Sequence, residues 1–126
     1  MAMVGVNVVV ADTDAEARRL FTSLQQQALN MVRGRPGQLP PPVDSMDGRW
    51  NAAEREQVEQ RTRVSAVGSV GTVRGRLATI LAATAADELI LTAHIYDHAA
   101  RLRSFELASH AMREVGQTGK REVAVW

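Results

Sequence analysis

Four side chains able to do chemistry fall within five positions late in the chain: His94, Tyr96, Asp97 and His98. Two imidazoles and a carboxylate are metal-ligand types, and a histidine that titrates near neutrality can serve as a general base. A tyrosine can line a pocket with its ring while its hydroxyl stays wet. Their spacing argues against a metal. His94 and His98 share a face only if both are helical, whereas Leu89 to Ala93 reads as a strand running up to His94, and no cysteine or carboxylate cluster completes a coordination sphere. Asp97 is better placed to cap a helix, with His98 in its first turn. A second candidate is Gly68-Ser69-Val70-Gly71 at the start of a helix, since helix N-termini attract phosphate. The string is not a complete Gly-x-Gly-x-x-Gly and lacks a Walker lysine, so helix capping by Ser69 is the expected role. No Ser-His-Asp arrangement and no paired-carboxylate motif stands out.

The elements that must position these residues alternate along the chain. Val4, Val6, Val8, Val9 and Val10 form a β-branched run that suits a strand covered on both faces. Thr13 and Glu16 stand in capping-box spacing, and Leu20, Phe21, Leu24, Ala28 and Val32 keep a helical period beside the wet Gln25, Gln26 and Gln27. From Gly34 to Trp50 the prolines 36, 40, 41 and 42, with Gly37 and Gly48, predict a long irregular loop, which in a compact domain is usually functional or mobile. Trp50 is expected to anchor that loop rather than close over a site. Asn51 and Glu54 open a polar, peripheral helix reaching about Thr62. Arg63 to Val67 predicts a short strand, Val70 to Leu81 an amphipathic helix, Leu89 to Leu91 a buried strand and Asp97 to Val115 a last helix. The tail, Gly116 to Trp126, leaves two readings open: a short strand or disorder. Strands alternating with helices imply right-handed crossovers and a parallel sheet, so the whole chain is expected to be one α/β domain over residues 1–126.

Composition narrows the function classes. At 126 residues, 45% hydrophobic and 23% charged, the chain suits one globular domain. Its 15 basic and 14 acidic residues leave a net charge of +1, without the basic stripe of a nucleic-acid binder; Arg101 and Arg103 read as solvated helix positions. No cysteine is present, which removes disulfides, thiolate metal sites and cysteine nucleophiles. No apolar stretch approaches the roughly 20 residues of a membrane span, and the start lacks the pattern of a signal peptide. The chain reads as cytoplasmic.

The segment Ala86-Asp87-Glu88-Leu89, Ile95-Tyr96-Asp97-His98, Arg101-Leu102-Arg103-Ser104 and Glu106-Leu107 resembles the end of luciferase-like flavin-dependent monooxygenases, the bacterial luciferase or alkanal monooxygenase family. Gly5-Val6-Asn7-Val8 with Ala11 to Ala17 is similar to the family's sixth strand and following helix, and Val67-Gly68-Ser69 with Val73 and Leu77 to the seventh unit. There the family usually reads Val-Gly-Ser-Pro-Glu-Thr-Val, whereas Val70 and Gly71 stand here in place of Pro and Glu. The substitution removes a favourable first-turn proline and an acid, and adds a glycine that weakens a helix by up to about 1 kcal/mol. The resemblance implies the last three β-α units of a (β/α)8 TIM barrel, with the proline-rich loop, about residues 34–50, as an insertion. A closed barrel needs eight units and typically about 250 residues, so this chain is not expected to close one.

By that resemblance the cofactor is reduced FMN, with a deazaflavin not distinguished from it, and the activity is oxidation of an aldehyde-like substrate with molecular oxygen. His94, Tyr96 and His98 are the residues it places nearest the flavin face. Much of the flavin grip in the family comes from strands that would precede Met1, so the chain alone is expected to have little or no turnover. A non-catalytic alternative is a self-associating α/β module. Parallel strands taken from a barrel leave edges that template pairing with another chain, and two copies could complete each other's sheet as a homodimer.

Overall fold

A computed structural model describes residues 3–84, 88–115 and 122–125. The elements run β1 (Met3–Val10), α1 (Asp14–Val32), α2 (Ala52–Arg61), β2 (Ser65–Gly68), α3 (Val70–Thr84), β3 (Glu88–Thr92), α4 (His98–Val115) and β4 (Glu122–Val125). All four strands are parallel and lie in the order β2-β1-β3-β4. Of the two readings of the tail, residues 122–125 form a strand; the other tail residues lie outside those described. Among the described residues no helix is long and apolar enough to cross a membrane.

β1 takes the centre because it is long, β-branched and apolar on both faces. Val6, Val8 and Val10 alternate onto one face and are essentially inaccessible, as is Val9 on the other. The register Val6↔Leu91 sets Leu91 beside them on the first face, where they join the main core with Leu77, Val73 and Ala111. α3 and α4 lie against each other and against β1, whereas α1 lies on β1 and β2 and has little contact with either of them. The helices therefore cover opposite faces, as right-handed crossovers require when strand order reverses. The resemblance would number these strands sixth, seventh and eighth, and sequential barrel pairing would make β2 the neighbour of both others. The structure instead sets β1 between β2 and β3. With four residues ending in glycine, β2 has too little apolar surface for a central position.

Caps and loops follow the sequence with two differences. Thr13 Oγ1 accepts from Glu16 N at 3.1 Å, but Glu16 turns its carboxylate to Arg19 and leaves the box half closed. Asn51 and Glu54 close theirs completely, at 2.8 and 3.0 Å, and of α2 only Val58 is buried, so that helix is peripheral as expected. The proline-rich loop is strapped along α1. Thr22 Oγ1 accepts from Val43 N at 2.9 Å and donates to Val43 O at 3.1 Å, Gln26 Nε2 donates to Pro41 O at 2.9 Å, and Gln27 Nε2 donates to Gly37 O at 3.4 Å. The glutamine face read as wet is thus the face that holds the loop. Trp50 packs beside Ala28, Leu29, Met46 and Val58 in a second small core, the anchoring role expected of it.

Candidate functional site at the carboxyl edge of the sheet

Strand order reverses between β1 and β3, and in open α/β sheets ligands bind at such a point, beyond the carboxyl ends of the strands. Three pieces meet there: the end of β1 at Val10-Ala11-Asp12, the β3–α4 connection over residues 93–97, and the first turns of α1 and α4. β3 pairs with β1 only as far as Asn7↔Thr92, so the Val10 N–H on that side has no strand to meet. Ser104, fully buried on α4, satisfies it: its Oγ accepts at 2.9 Å. That bond fixes α4 against the end of β1 and thereby fixes the connection that carries the histidines.

His94, Tyr96 and His98 all reach this edge and all are exposed, Tyr96 by 57%. Ile95, 5% exposed between them, pins the connection to the core. The three side chains lie along one exposed connection and its helix start. Asp97 Oδ2 accepts from Ala100 N at 2.8 Å, so its carboxylate caps α4 as its position suggested. Among the described residues no three His, Asp or Glu side chains assemble into a metal-ligating group.

The N-terminus of α3 already holds an anion from within the chain. Asp14 Oδ1 accepts from Ser69 N at 2.7 Å and from Thr72 Oγ1 at 2.8 Å. The Ser69 amide, then the Thr72 hydroxyl, hold the Asp14 carboxyl below the usual carboxylate range. A phosphate would compete with that carboxylate for the same donors. Gly68 lets it come so close: its φ is +150°, and a Cβ there would lie 2.7 Å from Asp14 Oδ1 and from Thr72 Cβ.

Sequence reasoning missed two further features. Asn7 interrupts the valine run of the central strand, and its Oδ1 accepts from Thr92 Oγ1 at 2.9 Å across the β1–β3 register. Both are half-buried, on the sheet face that Val9 shares. A polar residue inside a β-branched central strand was the available signal. Arg103, exposed as expected, also spans the edge: Nη2 donates to Asp12 Oδ1 at 3.0 Å, and Nη1 pairs with Glu106. Arg101 lies over the Phe105 ring at 5.7 Å. Between the Asp12–Arg103 bridge and the apolar floor of Val10, Leu20 and Ala100 is a cleft of about 270 Å³. A larger cleft of about 750 Å³ opens between α1 and the strap, lined by Arg18, Phe21, Asp44 and Val67. The edge presents amide, hydroxyl, imidazole and phenol groups, while the helix starts at Ser69 and Ala100 are filled by Asp14 and Asp97.

No protein-family model matches the chain. A protein of Escherichia coli (strain K12) named luciferase-like monooxygenase is 45% identical over 114 residues, which is 90% of this chain and 34% of that protein. The uncharacterized protein YvbT of Bacillus subtilis (strain 168) is 41% identical over 106 residues, 84% of this chain and 32% of its own length. The crystal structure of apo-MsnO8 superposes with a TM-score of 0.65 at 29% identity, over 88% of this chain and 34% of that one. The chain thus spans about a third of the relatives it matches, and over that third it is similar to luciferase-like monooxygenases.

Proposed function

We propose that this chain is the carboxyl-terminal portion of a luciferase-like flavin-dependent monooxygenase and supplies one wall of its flavin site. The observation that carries the reading is positional. The connection Ile95-Tyr96-Asp97-His98 lies at the carboxyl edge of a parallel sheet, beside the strand-order reversal, in a chain 45% identical to a luciferase-like monooxygenase over 90% of its length. Reduced flavin, when bound, would supply the activation of dioxygen toward an aldehyde-like substrate. The part left to this chain is binding and exclusion. Asn7 and Thr92 would meet polar atoms of the ring, and His94, Tyr96 and His98 would form the rim over it.

The phosphate grip is the part this chain lacks, because at this edge the starts of α3 and α4 are taken by its own carboxylates and that of α1 by the Thr13 hydroxyl. That gap supports a share of a site rather than a whole one, and no turnover alone. The pairing of β1 with β3 favours β1 as the next-to-last strand of the parent barrel, with α1, the strap, α2 and β2 inserted in the crossover between them.

The test is a titration of the ¹⁵N-labelled chain with oxidised FMN, and anaerobically with reduced FMN, read by amide chemical shifts. Weak binding with shifts confined to residues 92–98 and Asn7 is expected. Absence of any shift there up to the solubility of FMN removes the flavin-wall reading. Oxidation of a long-chain aldehyde by the chain with reduced FMN and oxygen is expected at background rate. Multiple turnovers would show that the site is complete.

A further inference from the structure

The cleft of about 750 Å³ between α1 and the strap has the size of a small-molecule site, and no residue of the 94–98 rim lines it. Arg18, Thr22 and Gln25 stand at i, i+4 and i+7 on α1 and form one stripe along its wall. Thr22, in the middle of that stripe, clamps both the N–H and the carbonyl of Val43, and Met46 is buried in the second core. Asp44 and Ser45 are carried between these two anchors and line the facing side. The floor is apolar, built from Met46 and from Phe21 and Val67, which pack against the main core. The charged groups of the lining divide into engaged and free. Asp14 accepts from Ser69 and Thr72, and Arg19 pairs with Glu16. Arg18 and Asp44 are exposed, and neither makes a side-chain hydrogen bond or ion pair with any described residue; nor does the Gln25 amide. Arg18 acts on Asp14, and Asp44 on Arg19, only through space. One cleft thus presents an unpaired cation and an unpaired anion around an apolar floor.

We propose that this cleft binds a small zwitterion with an apolar side group, of the class of the aromatic amino acids, with its carboxylate on Arg18 and its ammonium on Asp44. A guanidinium suits a carboxylate because its planar fork donates two parallel bonds. A carboxylate without an amine would leave Asp44 unpaired beside the ligand, and an amine without a carboxylate would leave Arg18 so. A zwitterion answers both, and the cleft thereby selects against either single charge. The side group would lie on Phe21, Met46 and Val67, where an aromatic ring gains apolar area and an offset contact with the Phe21 ring. The Gln25 amide adds a donor and an acceptor to the same wall. This inference uses no residue assigned to the flavin wall and is independent of the flavin reading.

The test is a titration of the ¹⁵N-labelled full chain with L-phenylalanine, read by amide chemical shifts. Saturable shifts are expected at residues 18–25, 43–46 and 67, with residues 92–98 unmoved. 3-Phenylpropionate, which lacks the ammonium, and phenethylamine, which lacks the carboxylate, are each expected to bind at least about tenfold more weakly, the loss of one charge-assisted hydrogen bond. R18A and D44A are expected to weaken L-phenylalanine by a similar factor. Both positions are exposed, so the circular dichroism spectrum should not change; if either variant loses its fold, the two analogues carry the test on the unaltered chain. No shift in the cleft up to the solubility of L-phenylalanine overturns the proposal. So does equal binding of all three compounds, or undiminished binding by a folded R18A or D44A.

Discussion

The contact between Asp14 and the start of α3 concentrates several constraints in few atoms. Gly68 combines a left-handed φ of +150° with a Cβ position 2.7 Å from Asp14 Oδ1, so G68A meets backbone strain and a side-chain collision together. A loss of about 1–3 kcal/mol is expected from urea unfolding. Because one of the colliding atoms belongs to Asp14, D14A should recover part of that loss in the double mutant, a non-additivity that a purely backbone effect would not show. The hydrogen-bonded Asp14 carboxyl has a depressed folded pKa, so its contribution to stability is present above the ordinary value of 3.8 and fades as pH falls through the folded one. Ser23 is the opposite case. Its hydroxyl is fully buried, with no partner among the described residues. S23A removes an unsatisfied dipole at nearly constant shape and is expected to be neutral or to stabilise by up to about 1 kcal/mol in the same measurement.

At the scale of elements, α1, the strap and α2 form a unit with its own small core, closed by one ion pair. Arg33 Nε and Nη2 donate to the two Glu54 oxygens at 2.6 and 3.1 Å, and Nη2 also reaches Arg49 O at 2.9 Å. These Arg33 bonds, then the Asn51 amide of the capping box, lower the Glu54 pKa from 4.5 to about 2. The stabilisation is complete above about pH 4.5 and disappears as pH drops toward 2, so the urea midpoint should fall through that window. R33A should flatten that part of the profile. V58A, at the one buried position of α2, should cost about 1–3 kcal/mol. Element type and capping were legible in the sequence here because they are local: Asn51 with Glu54, Thr13 with Glu16, and Gly34 at the helix end each act within a turn. The strap's attachment was not, since Gln26 and Gln27 look like solvent residues until a loop from 10–15 positions away supplies carbonyls. The rim was half legible for the same reason. Residues 94–98 are contiguous and stand out as a string, whereas the Asn7–Thr92 pair is 85 residues apart and visible only once the register is known.

At the scale of the whole molecule the strand order carries the functional argument. A closed (β/α)8 barrel pairs its last strand with its first. In this chain the far side of β3, the last strand before α4, is taken by β4, and the far side of β1 by β2. If the chain is the end of such a barrel, the strands that would complete it must displace both. β2 is only four residues long, and β4 pairs over four positions, so their ladders are short and the competition is set mainly by how tightly each is tethered. β2 stands between α2 and α3 in sequence, and β4 follows α4. Shortening the chain to residues 1–115 should therefore free the β3 edge while leaving the Ser104–Val10 bond and the histidine rim in place. Mixed with the remaining two thirds of the E. coli relative, the shortened chain is expected to recover FMN binding, read by flavin fluorescence, at lower concentration than the full chain does. Equal recovery by both would mean that β4 does not compete for the barrel seam. No recovery by either would separate this α/β unit from the barrel altogether, and leave the rim without the phosphate grip that a flavin site requires.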